Sequence, residues 1–568
     1  MNRNLLLLLP LALLSRQPLT AVNPDDVKPV KNLIVLISDG TSLNTLSLAR
    51  WMQFYQDPTA VKLNIDPYLC GTVRTNCSDA PIGDSAPTTS CYMTGHASRS
   101  GFVATFPPSS GDADIESADP SRAYSPAATI AEAARQLQNK SVGIVVNSIF
   151  TDATPSDCSS HYYDRSAYAL LAEQQVKNHI DVLIGGGNRY LTSTQEAYLR
   201  SRGYSVVRND LQALRTDPNP RLWALFGYDD KDFEIDRDTT AQPSLREATE
   251  IALRKLSKNS NGFFLMVEGS LVDYAAHDND LAALWREFLA FDDACGAALR
   301  FAEADGETAV VILADHSTGG INIGSYRASD YSHLTKAQLF EPLLKQTVSI
   351  SKFARLLNQA PRDSAASLFL RYEGFLPTPA EDSLLDLCPR YTRSRLPESE
   401  RRLPSTLAGT PLRSLGDVAA FIVRSHLPYY SWATYGHTGE DVFLAAYHPA
   451  STLPVGMNTN VEIAHYLQAL LGLYGRMDSF TDSIFAPHDK VFARMECTID
   501  EASSSDDFPT LRVINPSNHK QLTVTAFGNS FELTTGDTTR TVELPSVMPY
   551  VDRTRRFYLP ASLRSYLE

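Results

Sequence analysis

Asp273 and His277 stand four residues apart in Asp273-Tyr274-Ala275-Ala276-His277. On a helix this spacing puts a carboxylate and an imidazole on one face, where a metal ion could take both. Asp315-His316 supplies adjacent oxygen and nitrogen donors, and His437, in Gly436-His437-Thr438-Gly439-Glu440, adds another imidazole. Mixed donors of this kind suit zinc. Asp39, Asp152, Thr154 and Glu268 offer oxygen alone and suit magnesium. Each piece has an ordinary reading: a carboxylate and imidazole four apart often form a helix-surface salt bridge, and Asp-His is common in loops. Convergence would turn them into a site.

Gly83 to Gly95 reads GDSAPTTSCYMTG and carries a different chemistry. As plain structure it is a helix with an Asp or Ser cap, Pro87 in its first turn and Gly95 as its stop. The amides and dipole of such a helix start also attract an anion, with Ser85 placed as a nucleophile.

The elements that must position these residues are strands that end at them. Lys31 to Ile37 ends at Ser38-Asp39-Gly40, and Ser141 to Asn147 leads to Thr151-Asp152-Ala153-Thr154-Pro155. Gly262 to Val267 leads to Glu268-Gly269-Ser270, and Thr308 to Leu313 leads to Ala314-Asp315-His316. Helical stretches lie between them, including Ala127 to Gln138, Ser244 to Leu256 and Leu281 to Ala304. Continuous apolar strands alternating with helices predict an α/β domain with a central, mostly parallel sheet flanked by helices. Ligands in such sheets bind beyond the carboxyl ends of the strands, where Asp39, Asp152, Glu268 and Asp315 would meet.

Residues 325–430 read as a partly helical insertion near the site, rich in Pro, Arg and Leu in LPESERRLPSTLAGTPLRSL. Residues 485–568 read as a small β-rich C-terminal domain. Residues 1–21 have the early arginine, apolar run and small residues of a signal peptide, so the mature chain is expected to be exported, to the periplasm, cell surface or medium. No later segment is apolar and long enough to span a bilayer. The net charge of −14 excludes general nucleic-acid affinity, and an anionic substrate would need local cations, which bound metals can supply. Seven cysteines cannot all pair; Cys70 and Cys77 are close enough to bridge across a turn.

The motifs SDG, GDSA, DATP followed by HxxxR, VEGSxxDxxxH, ADHxTGG and GHTGE occur in this order and resemble the alkaline phosphatase family over residues 30–476. The resemblance implies a phosphomonoesterase working through a phosphoserine on Ser85, with two zinc ions and one magnesium. By position, Asp273, His277 and His437 would hold one zinc, and Asp315, His316 and Asp39 the other. Asp39, Asp152, Thr154 and Glu268 would hold the magnesium. Arg165 would fork onto two phosphate oxygens and Asp84 would hold Arg165 in place. The implied partners are small phosphate monoesters and, for the assembly, a homodimer.

The sequence departs from the family after the nucleophile, at Pro87, Thr88 and Thr89, and at Tyr274, where relatives carry lysine, tryptophan or histidine. A phosphodiesterase of the same superfamily would lack the third metal site, and a sulfatase needs a C/S-x-P-x-R context that is absent here. A non-catalytic phosphate-binding scaffold would be expected to have lost ligands.

Overall fold

The structure is a computed structural model that describes residues 22–568, apart from 112–113, 329–330, 389–405, 408–409, 413 and 502–507. The expected signal peptide and most of the Pro/Arg/Leu-rich run therefore lie outside the described residues.

Ten strands form the central sheet. In chain order they are β1 (Asn32–Ser38), β2 (Leu69–Arg74), β3 (Ser141–Ile149), β4 (Val182–Gly186), β5 (Ser205–Arg208), β6 (Leu222–Leu225), β7 (Phe263–Gly269), β8 (Thr308–Leu313), β9 (Val442–Tyr447) and β10 (Gly456–Thr459). Their order across the sheet is β10-β2-β9-β8-β1-β7-β3-β4-β6-β5. β9 runs antiparallel to both of its neighbours and the other pairings are parallel. The four apolar strands expected from sequence are β1, β3, β7 and β8, within two residues at either end.

β1 sits between β7 and β8 with all seven residues buried. Leu33 to Ile37 expose no surface. Burying each such aliphatic side chain contributes about 1.5–3 kcal/mol, which explains an unbroken apolar run with no polar face. The helices that matter for the site are α1 (Leu43–Gln56), α2 (Ser85–Thr94), α3 (Ile130–Gln138), α4 (Leu245–Leu256), α5 (Leu271–His277) and α6 (Leu281–Asp305). Asp280 caps α6 through the Ala283 amide, and Gly306 ends it at φ +71°.

The antiparallel sense of β9 decides where His437 goes. The chain must return to the carboxyl edge of β8 before it enters β9, and it passes His437 there. His437–Thr438 pairs as a two-residue strand with Ser317–Thr318. β2, antiparallel to β9, likewise delivers the chain to the same edge shortly before Ser85.

The insertion is helical where described, with helices Lys336–Lys345, Ile350–Gln359, Ala365–Tyr372, Pro379–Asp386 and Leu415–Ser425. It packs a core of its own around Phe353, Phe369 and Val418. The C-terminal region carries a five-stranded antiparallel sheet over residues 496–543, whose middle strands alternate buried and exposed residues. Cys70 and Cys77 do not bridge, and each is a free thiol. Extended backbone separates the two: the Cys70 Sγ faces the Leu444 and Pro454 carbonyls, and that of Cys77 faces the Ile82 carbonyl.

Candidate active site

Every residue singled out from sequence for metal or substrate lies at or beside the carboxyl edge of the sheet. Asp39 follows β1, Glu268 lies near the end of β7, Asp315 and His316 follow β8, and Asp152 follows the β3 strand and its turn. Gly40 makes the first turn possible. Its φ is +62°, and a Cβ there would stand 2.3 Å from Asp273 Oδ1. Only glycine fits that approach.

Asp273, His277 and His437 form one cluster whose donor atoms lie within 4.8 Å of one another; Asp39, Asp315 and His316 form a second. The His316 and His437 rings stack with centroids 3.9 Å apart, which places the clusters side by side. The His277 and His437 centroids are 5.1 Å apart. Nδ1 of His277 bonds the Tyr435 carbonyl at 2.5 Å, and Nδ1 of His437 bonds the Gly83 carbonyl at 2.8 Å. Each carbonyl can accept only from N–H, so both rings carry a proton on Nδ1 and turn Nε2 toward the carboxylates, that of His277 standing 3.3 Å from Asp273 Oδ2. The Thr318 hydroxyl donates to Asp273 Oδ1 at 2.5 Å and fixes that carboxylate.

The buried polar atoms test whether metals fit. Among the described residues Asp39 Oδ1, Thr154 Oγ1, Glu268 Oε2 and Asp315 Oδ2 are buried without hydrogen-bond partners, those of Asp39 and Asp315 standing 3.3 Å from His316 Nε2. Buried polar oxygens are rarely left unpaired, and four in one cluster make a cradle for cations. Electrostatics agree. Burial, then the neighbouring carboxylates, pushes Asp39 well above the usual carboxylate range, and burial followed by Asp152 does the same to Glu268. Such crowding calls for positive charge. Burial opposes ionisation of Asp273 too, but the hydrogen bond from His277 and the surrounding histidines hold it well below that range.

Ser85 is the first residue of α2, and its Oγ stands 3.1 Å from His316 Nε2. The residue is 4% exposed, open just to the site. The capping expectation fails in detail. Asp84 holds the N-cap position but makes no side-chain cap bond. Its Oδ2 instead accepts from Ser100 Oγ and Gly101 N, both at 2.9 Å, and its Oδ1 from Arg165 Nη1 at 2.7 Å. The side chain that would have capped α2 is spent on the arginine. Gly95, at φ +88°, ends the helix as expected.

Arg165 Nη2 reaches Asp152 Oδ1 at 2.8 Å, so the guanidinium spans two carboxylates. Asp152 Oδ1 also accepts from the Ala153 amide at 2.8 Å, and its Oδ2 from Tyr274 at 2.7 Å. Asp152 thus differs from the other oxygen donors: both its oxygens already have partners. Sequence reasoning missed Thr318, the Tyr435 and Gly83 carbonyls, and the Tyr274–Asp152 bond. Thr318, inside the ADHxTGG motif, and Tyr274, a departure from the family pattern, left visible signs.

A profile of the family described as Alkaline phosphatase matches residues 30–473. The chain belongs to the alkaline phosphatase family. Alkaline phosphatase 3 of Bacillus subtilis is 31% identical over 77% of this chain and 87% of its own length. The repressible alkaline phosphatase of Saccharomyces cerevisiae is 30% identical over 80% and 83%. Among solved structures, a cold-active alkaline phosphatase from a psychrophilic Shewanella superposes with a TM-score of 0.64 at 26% identity. That match covers 78% of this chain and 99% of the other. The alkaline phosphatase sheet thus carries the site, and this family member is a phosphomonoesterase.

Proposed function

We propose that the protein hydrolyses phosphate monoesters through a phosphoserine on Ser85, with Asp273, His277 and His437 holding one zinc and Asp39, Asp315 and His316 the other. Asp39, Thr154 and Glu268 would hold a magnesium, with Asp152 beside it. The observation that carries this reading is Ser85 Oγ at 3.1 Å from His316 of one donor cluster, whose ring stacks on His437 of the other, while the preceding Asp84 holds Arg165. When bound, the metals lower the pKa of a hydroxyl and stabilise the charge of entering and leaving oxygens.

The chain's own residues do the rest. Arg165 offers a planar fork for two non-bridging phosphate oxygens, and Asp84 and Asp152 fix its plane before substrate arrives. The uncapped start of α2 adds amide donors and a positive dipole end. Ser85 Oγ forms a bond to phosphorus as the bond to the ester oxygen breaks; the serine proton passes to solvent, and the departing alkoxide takes one from solvent and leaves as the alcohol. Water then attacks the phosphoserine, inorganic phosphate leaves and Ser85 regains its proton. Positioning and fixed charge supply most of the barrier reduction in phosphoryl transfer, so no dedicated general base is required.

Export through residues 1–21 fits this reading, since those residues have the composition of a cleavable leader. The deciding experiment compares kcat/KM for an aryl phosphate monoester and the matching diester, using Ser85→Ala as the blank. A monoester preference of several orders of magnitude, abolished by the substitution, supports the proposal. A diester preference, or turnover independent of Ser85, overturns it.

A further inference from the structure

At the opposite edge of the sheet, where β3, β4 and β6 begin, lies a cavity of about 470 Å³. β3 has nine residues, so this cavity and the catalytic edge are separated by about 30 Å of strand. Arg135, Lys140, Arg221, Lys255 and Lys258 line it, with His179 between them.

Two of the five cations are matched: Lys255 pairs with Asp217 at 2.9 Å, and Arg221 stands 3.6 Å from Asp181. Arg135, Lys140 and Lys258 pair with no carboxylate among the described residues. The Arg135 guanidinium donates to the Asn178 side-chain oxygen at 3.1 Å and to the Pro545 carbonyl. The Lys140 ammonium, in a residue 8% exposed, donates to the Lys31 carbonyl at 2.5 Å and the Asn261 carbonyl at 3.0 Å. These are neutral acceptors. The C-terminal ends of α3 and α4 point this way and offset about half a charge each. Glu132 and Asp181 act on Arg135 at longer range, and Glu543, itself paired with Arg202, stands 3.6 Å from His179, so an excess of about one to two positive charges remains in a partly desolvated cavity where an unpaired charge is costly.

His179 reports the same field. Burial, then Arg135, holds its imidazole down to about 4, so it stays neutral.

We propose that this cavity binds a compact oligoanion of the phosphate class, carrying two or more charges, at a site separate from the catalytic one. Its volume is that of a small-ligand pocket. The chain's net charge of −14 repels an extended polyanion such as nucleic acid, so local excess charge selects a ligand small enough to sit inside. Guanidinium and ammonium groups converging from two strand starts and two helix ends suit several phosphate oxygens at once.

Cyclic trimetaphosphate is the test ligand, because it carries three charges and no terminal phosphate ester. Equilibrium dialysis at low ionic strength against the full metal-loaded Ser85→Ala chain is expected to show one saturable site. Adding Lys258→Glu and Arg221→Glu, both exposed positions, should weaken binding at least about tenfold. The same pair in the otherwise unchanged enzyme should leave monoester kcat/KM as it was. Adding Arg165→Ala to the Ser85→Ala chain should leave binding unaltered. Absence of binding at millimolar ligand overturns the proposal. So does binding that Arg165→Ala removes and the Lys258→Glu/Arg221→Glu pair retains.

Discussion

Arg165 and Tyr274 hold Asp152 from opposite sides: the guanidinium donates to Oδ1 at 2.8 Å and the phenol to Oδ2 at 2.7 Å. The carboxylate is pinned at both oxygens, and its posture sets that of the arginine. Tyr274→Phe removes one of those pins with little change of shape. A hydrogen bond to a charged group contributes about 1.5–3 kcal/mol. Only part of that reaches the substrate, through Asp152 and Arg165, so KM for a monoester is expected to rise about three- to tenfold, with kcat affected less. Steady-state kinetics separating the two constants would show it. Equal loss in both would mean that the tyrosine acts on the chemical step.

Arg165→Lys keeps a positive charge between Asp84 and Asp152 but loses the fork. Two parallel N–H donors become one flexible ammonium, so phosphate is held by a point charge. KM for monoesters and Ki for inorganic phosphate should both rise, by about tenfold or more. Competitive inhibition by phosphate reads binding without the chemical step. An unchanged Ki would remove Arg165 from the substrate's contacts.

Gly40→Ala places a methyl group 2.3 Å from Asp273 Oδ1, in a backbone conformation that disfavours alanine. Asp273 must move, and the His277 and His437 cluster moves with it. Zinc content measured by atomic emission should fall by about one ion per chain. A fully loaded variant would show that the loop has more room than the geometry allows.

Chelation should lower the thermal midpoint, and zinc with magnesium should restore it. An ion that binds only the folded chain adds about 4 kcal/mol at a thousand times its dissociation constant. The four unpartnered buried oxygens give that stabilisation a structural origin. A midpoint indifferent to chelator would mean that the crowded carboxylates tolerate one another without cations.

Glu373 offers a pH test away from the site. Burial pushes its carboxyl up to about 8 from an ordinary 4.5. Its Oε2 accepts from Gln346 at 2.9 Å, while Oε1 has no partner. A group whose pKa is raised on folding contributes stability below its unfolded value and loses it as pH rises through the folded one. Part of the decline in stability between about pH 4.5 and 8 should therefore belong to Glu373. Glu373→Gln keeps the acceptor for Gln346 and should flatten that decline in urea melts across the range. A slope equal to that of the parent chain would exclude this residue as the source.

The unbroken apolar runs of β1, β3, β7 and β8, each ending in an acidic residue or close to one, are properties of the sequence alone. Strands buried on both faces must be apolar throughout, so their positions and their site-bearing ends are legible without a structure. The strand pairs are not. β4, β5 and β6 are short and β2 and β10 carry mixed exposure, so these do not stand out by pattern, whereas β9 is buried up to Tyr447. His437 joins His316 across more than a hundred residues of chain, because β9 runs antiparallel to β8 and brings it back to that edge. No local spacing encodes a strand's sense. Residue types set the chemistry available at Asp84, Ser85 and Arg165. Tertiary packing decided that Asp84 would hold the arginine rather than cap α2. Arg135, Lys140 and Lys258, without a carboxylate partner among the described residues, become a cluster only when a strand start and two helix ends meet, since charge density depends on distance in space and not along the chain.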